Sequence, residues 1–360
     1  MSEGDHGLHW QEALRRLVPE RLVSRRTQSA PGPPRDSGTL PERVERLILR
    51  GPRLYTRRQV HDLTGMPDTR TRRLWRSLGF ADIPDDDVVF TDADLDALDQ
   101  LELLRLTGVV PAEVQEAVIR SMAMSMAGLA EWMVGWIYHQ TPAEQLTDDP
   151  ELVLKTAAEA LPLMDSLLSH LWRRQLVAAG RRLRAVRADD PDGNTVVVGS
   201  ADLVGFTRTT RSMDPDKLVE MVELFHSIAA DAAAGHHGRI VKTIGDEVQF
   251  VVDRPEHAAE LAIELLDRTA AAGLPELRIG MALGAVLHRF GDVYGDVVHT
   301  ATLLGSQAPP GRVLVEQRMA TALEGDPRFS LRLRRPISVP GYPSTQAWGL
   351  RAADPAEDQS

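Results

Sequence analysis

The sequence predicts an α+β protein with two domains, an all-helical one followed by one that mixes strands with helices. A chain of 360 residues, 43% of them hydrophobic, is long enough for two cores. From about residue 43 to 188, apolar side chains recur every three or four positions, most clearly between Val114 and Ile137. After a break at Pro191 and Gly193, β-branched runs alternate with helical stretches, which is typical of a helix-covered sheet. We therefore place the main boundary near residue 190.

The all-helical part has three predicted segments. Residues 1–42 end in a stretch rich in Pro, Gly and Ser and form an extension and linker. Helical patterns dominate residues 43–150. A long helix is predicted over 151–193, with an arginine-rich end that the helix dipole favours.

The mixed part contains short β-branched strands separated by helices. Strands are predicted at 195–202, 239–244, 247–252, 276–286, 311–315 and around 346–350, with helices over 215–234, 256–272 and near 296–307. The second and third strands are separated only by Gly245 and Asp246, so they pair through a tight turn.

The composition excludes several classes of protein. Asp and Glu outnumber Lys and Arg by 52 to 41, which argues against a general nucleic-acid-coating or membrane-surface role. Cysteine is absent, so disulfides, thiolate metal sites and a cysteine nucleophile are excluded. No apolar run approaches the roughly 18–20 residues that span a bilayer, and the acidic, mixed N-terminus differs from a signal peptide. We expect a cytoplasmic protein.

Two aspartates stand at the ends of predicted strands. Asp202 lies in ADLVGFT after a buried strand, and Asp246 lies in the turn of KTIGDEV. Magnesium is bound in proteins by one or two carboxylates, with water and substrate phosphates completing its coordination. The backbone amides of VGFT lead toward a helix and are placed to cradle phosphate oxygens. The alternative, that both aspartates are ordinary turn residues, stays open on spacing alone.

Three motifs occur in a fixed order, ADLVGFT, GRIVKTIGDEVQF and GDVYGDVV. Together they resemble the catalytic domain of class III nucleotidyl cyclases, over about 194–351, with a short tail at 352–360. The resemblance implies a ferredoxin-like sheet with helices on one face. It also implies a head-to-tail homodimer with substrate sites at the interface, and conversion of ATP to cyclic AMP and pyrophosphate.

The resemblance assigns roles to individual residues. Asp202 and Asp246 would bind two Mg²⁺ or Mn²⁺ ions, and Lys242 and Asp292 would recognise adenine. The phosphate-cradling loop would consist of Val204, Gly205, Phe206 and Thr207. Lysine is rare here, because the only three are Lys155, Lys217 and Lys242. Composition therefore does not explain the lysine at 242.

Three positions depart from the pattern of the family. His299 stands where an asparagine is typical, Leu303 where an arginine is typical, and Pro340 where a phosphate-binding lysine is frequent. Of these, only His299 can still donate a hydrogen bond to the transition state. Losing one preorganised donor typically costs about 10²–10³-fold in rate. Two functions stay open, an adenylyl cyclase of low activity and a degenerate cyclase that binds nucleotide without turnover. A nearby arginine, Arg289, Arg334 or Arg335, could replace the missing charge.

The segment around residues 53–80 has a helix–turn–helix pattern. It resembles the winged helix–turn–helix of MerR-type regulators, and its second helix carries Arg70, Arg72, Arg73 and Arg76. The following ADIPDDDVVF segment would repel DNA phosphates. A module that packs against protein is therefore favoured, and a DNA-binding regulator is the minor alternative.

Residues 43–190 also resemble the autoinhibitory, pH-responsive N-terminal domain of actinobacterial soluble adenylyl cyclases. The resemblance implies that these helices hold two catalytic domains apart until protonation releases them, and we hypothesise that His139 or His170 contributes. A Met-rich helix face, with Met122, Met126, Met133, Trp132 and Trp136, is most simply a core or dimer interface. A fatty-acid or lipid ligand is its alternative role.

Overall fold

The computed structural model describes residues 38–80, 82–140, 149–189, 195–211, 213–289, 291–337 and 344–353. The chain divides into two compact units, residues 1–175 and 176–360, and the division falls inside one long helix. Most of the predicted extension and tail lies outside the described residues, as does Pro340.

The first part of the chain is helical, as the apolar periodicity predicts. Its helices are α1 (Leu40–Ile48), α2 (Arg57–Thr64), α3 (Asp68–Ser77), α4 (Asp92–Leu106), α5 (Ala112–Gln140) and α6 (Pro150–Asp189). Thr56 and Thr91 accept hydrogen bonds from backbone amides in the first turns of α2 and α4, so each serves as an N-cap. Gly65 ends α2 in the left-handed conformation, at φ 67°.

A small core holds the helix–turn–helix segment together. Val60 of α2 and Leu74 of α3 are buried with Phe90 and Leu95, and the Trp75 ring packs edge-on against Phe90 with centroids 4.8 Å apart. This cluster fixes α2, α3 and α4 as one packed module.

The second part forms a seven-stranded sheet in the order β2-β3-β1-β4-β7-β9-β8. The strands are β1 (Thr195–Leu203), β2 (Arg239–Ile244), β3 (Glu247–Val252), β4 (Leu277–Ala285), β7 (Arg312–Glu316), β8 (Phe329–Leu333) and β9 (Ala347–Ala352). A separate hairpin joins β5 (Leu287–Arg289) to β6 (Asp292–Tyr294). The helices are α7 (Phe206–Thr209), α8 (Pro215–Gly235), α9 (Pro255–Ala271), α10 (Asp296–Gln307) and α11 (Gln317–Ala322). Strands β4 and β7 pair in parallel, and the other neighbours are antiparallel.

Helices cover both faces of this sheet. On one face, α8 and α9 bury a large core that includes Val197 and Phe225. Side chains of a strand alternate between faces, so the neighbouring Val196 points the other way, where it is buried with Val297 and Ala301 of α10. The resemblance predicts helices on one face, and α10 is the correction to that expectation.

Two glycines explain why α10 fits so closely. A Cβ on Gly280 of β4 would lie 2.0 Å from the backbone nitrogen of Gly305 and 2.2 Å from the carbonyl oxygen of Ala301. Helix and strand backbones therefore meet directly at this point. The same contact fixes the position of every side chain on α10.

Most strands coincide with the predicted ones, but β5, β6 and β8 are absent from the prediction. β5 and β6 have three residues each, too few for an alternating pattern to be recognised. No described helix combines the length and the apolar character needed to cross a bilayer.

Candidate nucleotide-binding and catalytic site

Strand pairing brings the two predicted metal-binding aspartates together. Asp202 is the second-to-last residue of β1 and lies opposite Glu247 of β3. Asp246 directly precedes Glu247, in a turn in which Gly245 has φ 61°. Burial, together with the charge of the nearby Asp202 carboxylate, raises the pKa of the Asp246 carboxyl to about 6. Two adjacent carboxylates repel each other in this way until a cation or a proton neutralises them.

Arg278 supplies one such cation. It lies on β4 directly opposite Asp202, and its Nε and Nη2 atoms lie 2.7 and 2.5 Å from Asp202 Oδ2. Its Nη1 donates to the carbonyl oxygen of Ser306 at 3.0 Å. No local sequence pattern marks this residue as part of the site. The signal would have been the β1–β4 register, which joins positions 76 residues apart.

The donor set fits a metal that shares its coordination with a substrate. No group of three or more His, Cys, Asp or Glu side chains placed to hold a metal occurs among the described residues. A pair of carboxylates alone suits Mg²⁺ or Mn²⁺, whose other ligands are water and phosphate oxygens. Burial and the Asp202 charge both raise the pKa of Asp246, so a divalent cation bound by the two carboxylates would favour their charged forms.

The loop after β1 turns sharply toward the sheet. Gly205 has φ 78°, and the short helix α7 begins at Phe206, whose ring packs against the main core. The Val204 amide donates to the carbonyl oxygen of Glu276 at 2.8 Å, so it is not directed at a ligand in this protomer. The amides of Phe206 and Thr207 open the helix, where N–H groups have no intrahelical acceptor. The side chain of Thr207 lies outside the described structure.

The predicted adenine-recognising residues form an ion pair. Lys242 Nζ of β2 donates to Asp292 Oδ2 at 2.9 Å and to Oδ1 at 3.2 Å. Both side chains are partly exposed, at 35% and 26%. Asp292 begins β6, and its Oδ1 also accepts from the Val293 amide at 2.7 Å. The β5–β6 hairpin thus carries Asp292 to the lysine across 50 residues of chain.

His299 and Leu303 lie one turn apart on α10, on the same side of the helix. The imidazole of His299 is exposed, and Leu303 is half-buried. Pro340, the third departure from the family pattern, is outside the described residues.

A buried polar cluster lies beneath α10 and was not anticipated from the sequence. Ser200 Oγ donates to Glu247 Oε1 at 2.8 Å, and Gln249 Nε2 donates to the same oxygen at 3.1 Å and to Thr302 Oγ1 at 3.4 Å. Gln249 Oε1 is buried and has no partner among the described groups. In the sequence, this cluster is indicated by the alternation of polar and apolar residues in EVQF, within a strand that is otherwise apolar.

The arginines of the helix–turn–helix segment are neutralised within their own module. Arg70 pairs with Glu102 at 2.8 Å, and Arg73 pairs with Glu116 at 3.5 Å. Arg76 contacts Asp82, in the acidic segment that follows α3, and Arg72 contacts Asp68 and Asp85 at 3.3 and 3.4 Å. The recognition-helix charges are therefore engaged by carboxylates, which disfavours DNA binding.

Most of the Met-rich face of α5 is exposed in the protomer, and Met133 is half-buried. Met122 and Trp132 are 62% and 59% exposed, so these side chains are not part of the protomer core. His170 on α6 is exposed as well, and the His139 side chain lies outside the described residues.

Comparison with known proteins agrees with the geometry of the second unit. Residues 190–352 match the family described as the adenylate and guanylate cyclase catalytic domain. An adenylate cyclase of Streptomyces coelicolor is 39% identical over 290 residues, which are 78% of this chain and 74% of that protein. The chain belongs to the class III nucleotidyl cyclases. A second cyclase relative, an adenylate cyclase of Glutamicibacter nicotianae, is 32% identical and covers 87% of this chain and 82% of its own length.

The similarity to these cyclases extends beyond the catalytic domain. A protein of Mycobacterium tuberculosis named pH-sensitive adenylate cyclase is 28% identical over 75% of this chain and 70% of its own length. Among solved structures, the catalytic core of a rhodopsin–guanylyl cyclase in complex with ATPαS is 21% identical with a TM-score of 0.41, covering 45% of this chain and 97% of that one.

Proposed function

We propose that this class III cyclase converts ATP to 3′,5′-cyclic AMP and pyrophosphate. The observation that carries the proposal is that the fold brings two pairs of side chains, a carboxylate pair and an ion pair, to one region of the sheet. Strand pairing brings the carboxylates of Asp202 and Asp246 together, and the ion pair of Lys242 and Asp292 lies on the strand next to β3. Relatives named adenylate cyclases, similar over most of the chain, support the same activity.

In this reaction, the ribose 3′-oxygen attacks the α-phosphorus. The bond from that phosphorus to the bridging oxygen of the β-phosphate breaks, pyrophosphate leaves, and the 3′-hydroxyl proton is released. When bound, two Mg²⁺ or Mn²⁺ ions would neutralise the triphosphate and favour ionisation of the hydroxyl, with Asp202 and Asp246 as the residues that would hold them. Arg278 fixes Asp202 through Oδ2.

Base selection follows from the donor and the acceptor of the Lys242–Asp292 pair. The ammonium can donate to a ring nitrogen of adenine, and the carboxylate can accept from its exocyclic amino group. Adenine would thus replace an existing contact of 2.9 Å, and neither of these partly exposed charges would be left without a partner. We propose a head-to-tail homodimer as the active form, with substrate sites at its interface.

Positions 299 and 303 favour a second candidate function, nucleotide binding without turnover. Leu303 has neither a charge nor a hydrogen-bond donor to offer the transition state. An enzyme that lacks one preorganised donor of this kind typically loses about 10²–10³-fold in rate. The two residues proposed to recognise adenine, Lys242 and Asp292, are nonetheless present. A sensor that binds ATP and signals through its conformation would need only those residues.

The N-terminal helices are proposed to restrain the catalytic domain. The exposed Met-rich face of α5 supports a role in contact with another surface, because such apolar exposure is unusual in a monomer. A fatty-acid ligand of this face and protonation of His139 or His170 remain proposals for how the restraint is released.

Cyclic AMP production by the full chain with Mn²⁺-ATP tests the proposed function. We expect slow but metal-dependent turnover, and we expect His299→Asn combined with Leu303→Arg to raise it. ATP binding without turnover in the wild type, together with activity in the double variant, would establish the second function. Absence of ATP binding by both proteins would contradict both.

A further inference from the structure

A concave groove of about 670 Å³ lies on the sheet beyond the C-terminal end of α10. Its lining contains five arginines and no acidic residue; the arginines are Arg312, Arg332, Arg334, Arg335 and Arg351. The rest of the lining is apolar or uncharged and includes Leu314, Ile337 and Pro309. Such a concentration of positive charge is unexpected in a chain whose net charge is −11.

The strand register explains why the arginines converge. Leu314, Gly349 and Arg332 form one row across β7, β9 and β8. Side chains two residues apart on a strand share a face. Arg312, Arg351 and Arg334 therefore lie on the same face as that row.

The floor of the groove is shaped to hold one guanidinium. Gly349 has no side chain, and a Cβ there would lie 2.9 Å from Arg334 Nε. The backbone of Arg334 is anchored by its amide, which donates to the Ala347 carbonyl oxygen at 2.9 Å, and by its own carbonyl oxygen, which accepts from Gln346 Nε2 at 2.8 Å. Arg334 thus lies across the sheet on a fixed backbone.

Three of these arginines have no ion pair with a carboxylate among the described residues. Arg312, Arg334 and Arg335 are exposed, and no ion pair between described residues involves them. By contrast, the arginines of the helix–turn–helix segment are all paired. The groove therefore presents guanidinium forks to solvent, and these forks match phosphate oxygens in bidentate geometry.

We propose that this groove binds an oligophosphate, either free or as part of a nucleotide. Each guanidinium fork can bind two oxygens of one phosphate group. A phosphate chain carries several such groups close together, so one small ligand can contact several of these arginines at once. The groove volume also suits a small molecule.

The groove is separate from the proposed substrate site, although it lies near it. Asp202, Arg278 and Arg312 occupy one row across β1, β4 and β7. Two strand spacings place Arg312 about 10 Å from Asp202 along the sheet. The inference therefore goes beyond the proposed function, and it requires no metal at the aspartates.

Calorimetric binding of sodium tripolyphosphate to the full chain in EDTA tests this proposal. We expect one site per chain, with affinity that falls as salt rises. Arg312→Gln combined with Arg334→Gln should weaken binding about tenfold or more, whereas Asp202→Asn should leave it intact. Arg173→Gln with Arg174→Gln on α6 removes the same charge elsewhere and should have little effect.

Gly349→Ala gives an independent test, because it displaces Arg334 without changing the charge, and it should also weaken binding. In a further arm, UTP replaces tripolyphosphate. Equal affinity identifies the phosphate chain as the whole ligand, and tighter UTP binding assigns the apolar part of the groove to a nucleoside. No binding, binding unchanged in the arginine variant, or an arginine variant that alters only the oligomeric state would overturn the proposal. None of these outcomes depends on whether the chain makes cyclic AMP.

Discussion

At the scale of single residues, the carboxylate pair carries the strongest expectation. Within this pair, burial and the Asp202 carboxylate together raise the pKa of Asp246 to about 6. Both residues come from turns or strand ends that a sequence pattern can locate. Their proximity depends on β1–β3 pairing, which joins positions 202 and 247.

Replacing Asp246 by Asn removes one charge of this pair. We expect cyclic AMP production to fall by about 10²-fold or more, since the amide is a much poorer ligand for a hard cation. The fold should persist, because the substitution relieves repulsion between two carboxylates. Asp253→Asn, at an exposed site, is the matched control. Comparable activity of the two variants would rule out a metal-binding role for Asp246.

Replacing Lys242 by Gln tests base recognition. The variant loses the ion pair to Asp292 and the charged donor toward adenine, so KM for ATP should rise about tenfold. If the residue acts only in binding, kcat should change much less. Steady-state kinetics of Lys242→Gln, Lys217→Gln and the wild type separate these parameters. An unchanged KM would show that adenine is recognised elsewhere.

At the scale of elements, the packing of α10 on β4 decides where His299 and Leu303 lie. Gly280→Ala would place a Cβ 2.0 Å from the backbone of Gly305, whereas the nearest atom to a Cβ on Gly284, on the same strand face, is a side-chain carbon of Val297 at 3.5 Å. Backbone cannot shift as a flexible side chain can. We expect Gly280→Ala to destabilise the catalytic domain by about 3 kcal/mol and Gly284→Ala to be near neutral. Thermal unfolding of both variants measures the difference, and equal midpoints would contradict the direct helix–strand contact.

At the scale of the whole molecule, the proposed restraint predicts a change in activity on truncation. Residues 176–360 form a compact unit with its own core, so a fragment of residues 190–360 should fold. We expect this fragment to be more active than the full chain at neutral pH. We also expect the fragment to lack the acid activation that is proposed for the full chain. Parallel cyclic AMP assays across pH measure both properties.

The histidine hypothesis belongs to the same scale. His139→Gln combined with His170→Gln should flatten the pH dependence of the full chain, because imidazole is the side chain that gains charge between pH 8 and 5. Replacing the exposed His237 by Gln gives a control outside the helical part. A pH profile identical to that of the wild type would exclude both histidines.

Sequence patterns alone predicted the helical first part, most of the strands and the residues that match the motifs of the cyclase family. Periodicity and turn chemistry are local, so Thr91, Gly205 and Asp246 could be interpreted without a fold. Membership of the family also followed from short motifs, which comparison with relatives confirmed.

Contacts between residues that are distant in sequence depend on the three-dimensional fold. Arg278 contacts Asp202 and Asp292 contacts Lys242 only because strands and hairpins pair across 50 or more residues. The second face of the sheet and the arginine groove depend on glycines at 280, 305 and 349 that admit close approach. A sequence pattern records which face a residue occupies, but not which other element packs there, because that choice depends on strand order and register.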